Sequence, residues 1–165
     1  MKLAKFAVAA LCLAAPAAFA EDHAMSPSGD PEAGDAIFNR QCVACHVVVD
    51  AEGNTLAGRN ARTGPNLYGV ALRQAGTVED FRYGDSIVEA GEAGLVWDEE
   101  SFVAYSQDPN GFLREYLDDR RARGRMAFQL RDAEDAADVY AYLVSIGPEL
   151  VMEEGDGEAE EAPAE

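Results

Sequence analysis

The chain has 165 residues with 31 acidic side chains against 13 basic ones, a formal net charge of −18 at neutral pH. Every acid lies after Ala20 and both lysines lie before it, so the chain from Glu21 onward holds eleven arginines, no lysine and a net charge of −20. Such a balance keeps a protein soluble and argues against nucleic acid or an anionic membrane surface as its general partner. A lysine-free acidic chain suits high salt, and a drift toward arginine codons accounts for the missing lysine equally well.

Residues 1–20 read as an export signal cleaved after Ala20. Lys2 and Lys5 form a positive start, Phe6 to Ala15 an apolar run, and Ala18-Phe19-Ala20 a small-x-small cleavage site. The run is short and alanine-rich for a membrane span, an uncleaved anchor being the competing reading. Cys12 lies inside it, and the residues before Cys12 do not form a lipoprotein signal. Residues 21–29 read as a flexible lead. Residues 153–165 hold seven acids, two glycines and no large apolar side chain, so they should stay disordered. The folded unit expected between them is one domain, residues 30–152, without internal repeats.

Helix signals dominate that unit. Asp30-Pro31-Glu32 supplies an N-cap, a proline at the first helical position and an acid in the first turn. The helix it opens runs toward Cys42 with Gly34 and Phe38 on one face. It ends in Gln41-Cys42-Val43-Ala44-Cys45-His46, the Cys-x-x-Cys-His pattern of covalent c-type haem attachment. Each thiol adds across one of two vinyl groups on the same porphyrin edge, so the two must sit about one helical turn apart; the next imidazole then falls under the ring. The rivals are a zinc half-site, a thioredoxin-like redox pair and a chance Cys-x-x-Cys. Zinc needs four ligands, and only His23 and Cys12 remain to supply one. A thioredoxin motif would follow a strand in a βαβ pattern, which is not seen. Haem attachment also agrees with export to the bacterial periplasm, because c-type haem is attached after export.

From Val47 to Ala75 the chain is rich in Gly, Asn, Thr and Arg without sustained periodicity. A loop of that length is unusual in a compact domain, but it can wrap a buried prosthetic group that replaces the missing core. Asp85 to Ala93 reads as a short helix ended by Gly94. Asp98-Glu99-Glu100 caps another through Phe102, Val103 and Tyr105. Asp108-Pro109 starts a third through Phe112, Leu113, Tyr116 and Leu117. The last helix begins near Asp132 and runs through Val139, Tyr142, Leu143 and Ile146 to the stop at Gly147-Pro148. With no alternating strand run, the fold class is all-α.

A six-coordinate haem needs a second ligand, usually His or Met. The candidates after the signal are His23, Met25, Met126 and Met152. His23 and Met25 lie in the lead and Met152 borders the acidic tail. Met126 sits in Arg123-Gly124-Arg125-Met126-Ala127-Phe128, between two helices, and is the expected axial ligand; a lone methionine taken blindly is more often core filler.

With these residues placed, the chain resembles the class I c-type cytochromes, in particular the bacterial cytochrome c2 group, over residues 29–146. The resemblance rests on the haem motif, on Thr63-Gly64-Pro65-Asn66-Leu67-Tyr68-Gly69-Val70 and on Met126. It implies a single small domain of about five short helices and long loops wrapped around one covalently bound haem c and its iron. Cys42 and Cys45 would hold the haem, and His46 and Met126 its iron. The Pro65 carbonyl would accept a hydrogen bond from the His46 ring. Arg73, Tyr83 and Trp97 match positions that hydrogen-bond the haem propionates, and Tyr105 matches the tyrosine behind the methionine. Gly34 and Phe38 match first-helix residues packed on the last helix, here at Val139 and Tyr142. Without the family, the three aromatics read as core side chains and Arg73 as a surface charge.

The resemblance further implies a monomeric one-electron carrier, not an enzyme. Its donor would be the membrane quinol–cytochrome c oxidoreductase, and its acceptor a terminal oxidase, a photosynthetic reaction centre or a periplasmic reductase. Three positions depart from the family: Gly124 replaces a threonine, Ile87 stands where mitochondrial members carry asparagine, and the lysine ring around the haem edge is absent. Arg114, Arg120, Arg121, Arg123 and Arg125 crowd the approach to Met126 and form the expected docking face, unless Glu115, Asp118 and Asp119 neutralise them. A haem peroxidase or gas-binding protein, with an open sixth site, is the enzyme-class alternative.

Overall fold

The computed structural model describes residues 26–150; the expected signal, the acidic tail, His23, Met25 and Met152 lie outside them. Five helices carry the architecture: α1 (Pro31–Gln41), α2 (Asp85–Glu92), α3 (Glu99–Gln107), α4 (Pro109–Tyr116) and α5 (Ala133–Ser145). Four of them start on an aspartate whose carboxylate takes up orphan backbone N–H groups. Asp30 accepts from Glu32 and Ala33, Asp98 from Ser101, Asp108 from Gly111, and Asp132 from Glu134. Proline occupies the first position of α1 and α4, where no intrahelical donor is lost. No helix among the described residues is long and apolar enough to cross a membrane.

Helices α1 and α5 share the most extensive helix contact. Gly34 permits it: a Cβ there would stand 2.8 Å from the Cβ of Tyr142 and closer still to the Asp138 backbone. Phe38, fully buried, packs its ring against Tyr142 at a centroid separation of 5.6 Å. Ile37, the preceding residue, is buried as well. The end of the expected lead is tied to α3, and the cap of α1 to α5. Ser28 N–H donates to Glu99 Oε2 at 2.9 Å, and Asp30 N–H donates to the buried Asp138 carboxylate at 2.7 Å.

One element was not anticipated from sequence. Strands β1 (Val48–Val49) and β2 (Thr55–Ala57) pair antiparallel, with an irregular register between Val48 and Val49. Two and three residues are too few to display alternation. The turn between them is built by Asp50, whose carboxylate accepts from Asn54 N–H and Nδ2, and by Gly53 at φ +86°. Further on, residues 72–75 run beside 95–97: Leu72 N–H donates to Trp97 O, Trp97 N–H to Arg73 O, and Ala75 N–H to Leu95 O, all within 3.0 Å. This ladder sets Arg73 and Trp97 side by side.

The apolar interior falls into two clusters. One gathers Ile37, Phe38, Val48, Val70, Val139 and Leu143; the other gathers Ala75, Ile87, Leu95, Leu113 and Ala122. Trp97 packs against both. A large cavity opens beside them.

Candidate haem site

The cavity, of about 270 Å³, has a mainly apolar wall and is lined by Cys42, Cys45 and His46 together with Met126. The first three come from the end of α1. Cys42 is its C-cap, and the N–H groups of Cys45 and His46 both return to Cys42 O at 3.0 Å, a turn that points three reactive side chains at one space. Both cysteines are free thiols. Burial, and secondarily the neighbouring Cys45, push the Cys42 thiol up to about 11, so it stays protonated at neutral pH. Among the described residues no cluster of three or more His, Cys, Asp or Glu side chains converges on a metal ion.

His46 is fixed on two sides. Its Nδ1 donates to the Pro65 carbonyl at 2.9 Å, which leaves Nε2 as the free lone pair. Gly64 lies against the ring: a Cβ there would stand 2.6 Å from Nδ1 and 2.7 Å from Nε2. Burial holds the imidazole below its ordinary value, with the hydrogen bond to Pro65 opposing in part, so the ring is neutral at pH 7.

The Pro65 carbonyl is itself held by its neighbours. Gly64 N–H donates to Cys45 O at 2.7 Å. The Asn66 side chain bridges to β1: Oδ1 accepts from Val49 N–H at 3.0 Å and from Tyr68 N–H at 3.1 Å, while Nδ2 donates to Val49 O at 2.7 Å. Asn66 passed in the sequence as one letter of a motif, and its reach to Val49 belongs to the tertiary fold. Arg73 completes the loop, donating from Nη1 to Tyr68 O at 2.7 Å and from Nη2 to Asn66 O at 3.2 Å.

Arg73, Tyr83, Trp97 and Tyr105 all line the cavity. Burial lowers the Arg73 guanidinium and raises the Tyr83 phenol, and each group partly offsets the other's shift. Burial pushes Tyr105 up to about 12, so it is a neutral hydroxyl. Its ring lies 5.0 Å from Trp97 and edge-on to Phe112 at 5.9 Å. Ile87 lines the cavity as well, with Phe81, Leu67, Phe102 and Leu130. Phe81 and Leu130 carry no signal in the sequence, because they lie in separate loops that share no period.

Of the five arginines, Arg123 and Arg125 reach the cavity rim, whereas Arg114, Arg120 and Arg121 do not line it. All five are exposed. Among the described residues, the one carboxylate within 4.0 Å of any of them is Asp119, 3.7 Å from Arg121. Arg125 is anchored through Nη1 to Arg82 O at 3.1 Å.

This donor set fits a covalently bound haem. Two free thiols three residues apart line one cavity, a neutral imidazole presents Nε2, and an apolar wall stands ready to cover a flat macrocycle.

Known proteins agree with the geometry. A model of the cytochrome c family matches residues 31–147. Cytochrome c2 of Rhodovulum adriaticum is 60% identical over 120 residues, covering 73% of this chain and 94% of that protein. Cytochrome c2 of Cereibacter sphaeroides is 56% identical over 143 residues, 86% of this chain and 97% of the relative. The crystal structure of cytochrome c2 from Rhodobacter sphaeroides matches with a TM-score of 0.71 at 54% identity, covering 74% of this chain and 99% of the other. Ferric cytochrome c-550 from Paracoccus versutus matches with a TM-score of 0.67 at 39% identity, covering 73% and 99%. The chain therefore belongs to the cytochrome c family: an electron carrier rather than an enzyme, holding covalently bound haem c.

Proposed function

We propose that this protein is a periplasmic one-electron shuttle in which Cys42 and Cys45 would hold the haem covalently and His46 and Met126 would bind its iron. One observation carries the reading: Met126 lines the same cavity as Cys42, Cys45 and His46. The haem supplies a one-electron couple whose potential a methionine ligand raises. The chain holds geometry and environment constant while charge changes. Gly64, Pro65 and Asn66 keep the imidazole in one orientation, and the hydrogen bond to Pro65 makes its Nε2 a stronger donor. Arg73, Tyr83 and Trp97 are the polar groups placed to receive the propionates, and Tyr105 stands behind the methionine loop. The apolar wall, Ile87 included, keeps water from the site.

The electron donor is the quinol–cytochrome c oxidoreductase, and the acceptor a terminal oxidase, a photosynthetic reaction centre or a periplasmic reductase. Arg114, Arg120, Arg121, Arg123 and Arg125 form the docking face, with Arg123 and Arg125 at the cavity rim supporting it. A small, transient contact steered by charge suits rapid exchange. A ferric spectrum with a ligand titration tests the reading. A far-red methionine–iron band is expected, with little uptake of cyanide at neutral pH. Ready binding of cyanide, or of carbon monoxide by the ferrous form, would instead indicate an open sixth site.

A further inference from the structure

The connection from α4 to α5, residues 117–132, carries Met126; the side chains of Arg125 and Gln129 are tied, to Arg82 O and Asp108 Oδ1, but the backbone has little hold of its own. Ala122 and Leu130 are its buried points, and Leu130 N–H is tied to Ser106 O at 2.9 Å. Between them, among the described residues, no backbone carbonyl of residues 123–129 accepts a hydrogen bond. Two backbone N–H groups in that stretch donate, and both go to side chains of other helices. Arg123 N–H donates to Ser86 Oγ on α2 at 3.1 Å, and Gly124 N–H donates to Asn110 Oδ1 on α4 at 3.0 Å. Gly124 has no side chain with which to anchor itself. Its bare backbone packs on the α3–α4 corner, where a Cβ would stand 3.3 Å from the Tyr105 hydroxyl and 3.4 Å from Pro109 Cβ.

We infer that Asn110, seconded by Ser86, is a positioning residue for Met126: its amide oxygen, holding the backbone two residues before the methionine, keeps the thioether within reach of the iron. The inference rests on Met126 being the axial ligand. Asn110 is the second residue of α4, a rigid point set by the Asp108 cap and Pro109, so its oxygen is presented from a fixed base. Without that oxygen the half-buried Gly124 N–H loses its partner and the loop moves out toward water to satisfy it. Met126 then leaves the iron more often, and an external ligand has less to displace.

Titration of the ferric holoprotein with imidazole, followed by loss of the methionine–iron band, reads that competition. N110A should bind imidazole about tenfold more tightly than the parent, the loss expected of one hydrogen bond. N110D keeps an acceptor oxygen in place and should return the affinity to within about twofold. S86A removes the neighbouring anchor and should shift the affinity the same way; it carries the test if N110A fails to assemble. N39A, which deletes two exposed hydrogen bonds to Asp35 on α1, should change nothing. Parent-like affinity in N110A and S86A alongside a large gain in M126A overturns the inference and leaves the ligand assignment standing. An N110D as loose as N110A overturns it as well. No gain in M126A removes the ligand assignment on which it rests.

Discussion

His46 Nδ1 lies 2.9 Å from the Pro65 carbonyl across nineteen residues of chain, with Gly64 flat against the same ring. The imidazole thus has neither room nor reason to rotate, and the loop that would look structureless in sequence is the part that aims it. Gly64→Ala tests this directly. Its Cβ would meet both ring nitrogens within 2.7 Å, so either the loop retreats or the ring turns, and the hydrogen bond to Pro65 goes with it. Overpacking together with the lost bond should cost about 3 kcal/mol, read as a lower denaturant midpoint of the holoprotein. A midpoint equal to the parent's would show that the contact is slack.

Met126→Ala removes the proposed sixth ligand while leaving the Gly124 and Arg123 anchors in place. The reduction potential should fall by on the order of 0.2 V, a fraction of the range that axial ligands span. The far-red band should vanish and cyanide should bind at neutral pH. A potential unchanged within error would assign the sixth position to another residue.

Much of this was legible in the sequence, and for identifiable reasons. The four aspartate caps are local chemistry, a carboxylate meeting N–H groups two or three residues on, so Asp30, Asp98, Asp108 and Asp132 announce their helices. Cys42, Cys45 and His46 are contiguous and carry their meaning in their spacing. The β1–β2 pair was invisible because five residues in two strands show no period, and its irregular register erases what remained. Asn66, Asn110 and Ser86 were hidden for another reason. Each is a small polar side chain whose partner lies 14 to 37 residues away, so its role exists only once the chain has folded. Arg73 shows the reverse: resemblance placed it at the propionates, and the fold adds that its guanidinium ties the Asn66–Tyr68 loop.

The arginine face is tested with Arg121→Gln and Arg123→Gln together. Arg121 is almost fully exposed and its contact with Asp119 is long, so the pair should hardly affect stability. Arg123 keeps its backbone bond to Ser86 whatever its side chain. Reduction by the isolated donor complex should slow about tenfold at low ionic strength, and the gap should close as salt rises. An unchanged rate and salt slope would move the docking surface elsewhere.

Tyr140 and Tyr142, buried on opposite sides of α5 against Phe102 and Phe38, set an alkaline limit to stability. Burial, with Asp98 and Glu99 nearby, pushes Tyr140 up to about 12; burial, with the Asp35 carboxylate nearby, does the same for Tyr142. Unfolded tyrosine ionises near pH 10, so the folded state favours the neutral phenol. The resulting stabilisation is complete below pH 10 and is lost as pH rises from there through about 12. Phenolate absorbance should therefore lag behind that of exposed tyrosines and rise together with loss of the helical signal. Tyr140→Phe deletes the hydroxyl that donates to Trp97 O at 3.1 Å, at a cost of about 1 kcal/mol at neutral pH, but it also removes one ionisation that drives unfolding. Its midpoint should be lower than the parent's at pH 7, draw level with it near pH 11 and stand higher beyond that. A difference that stays constant with pH would mean that Tyr140 ionises alike in both states.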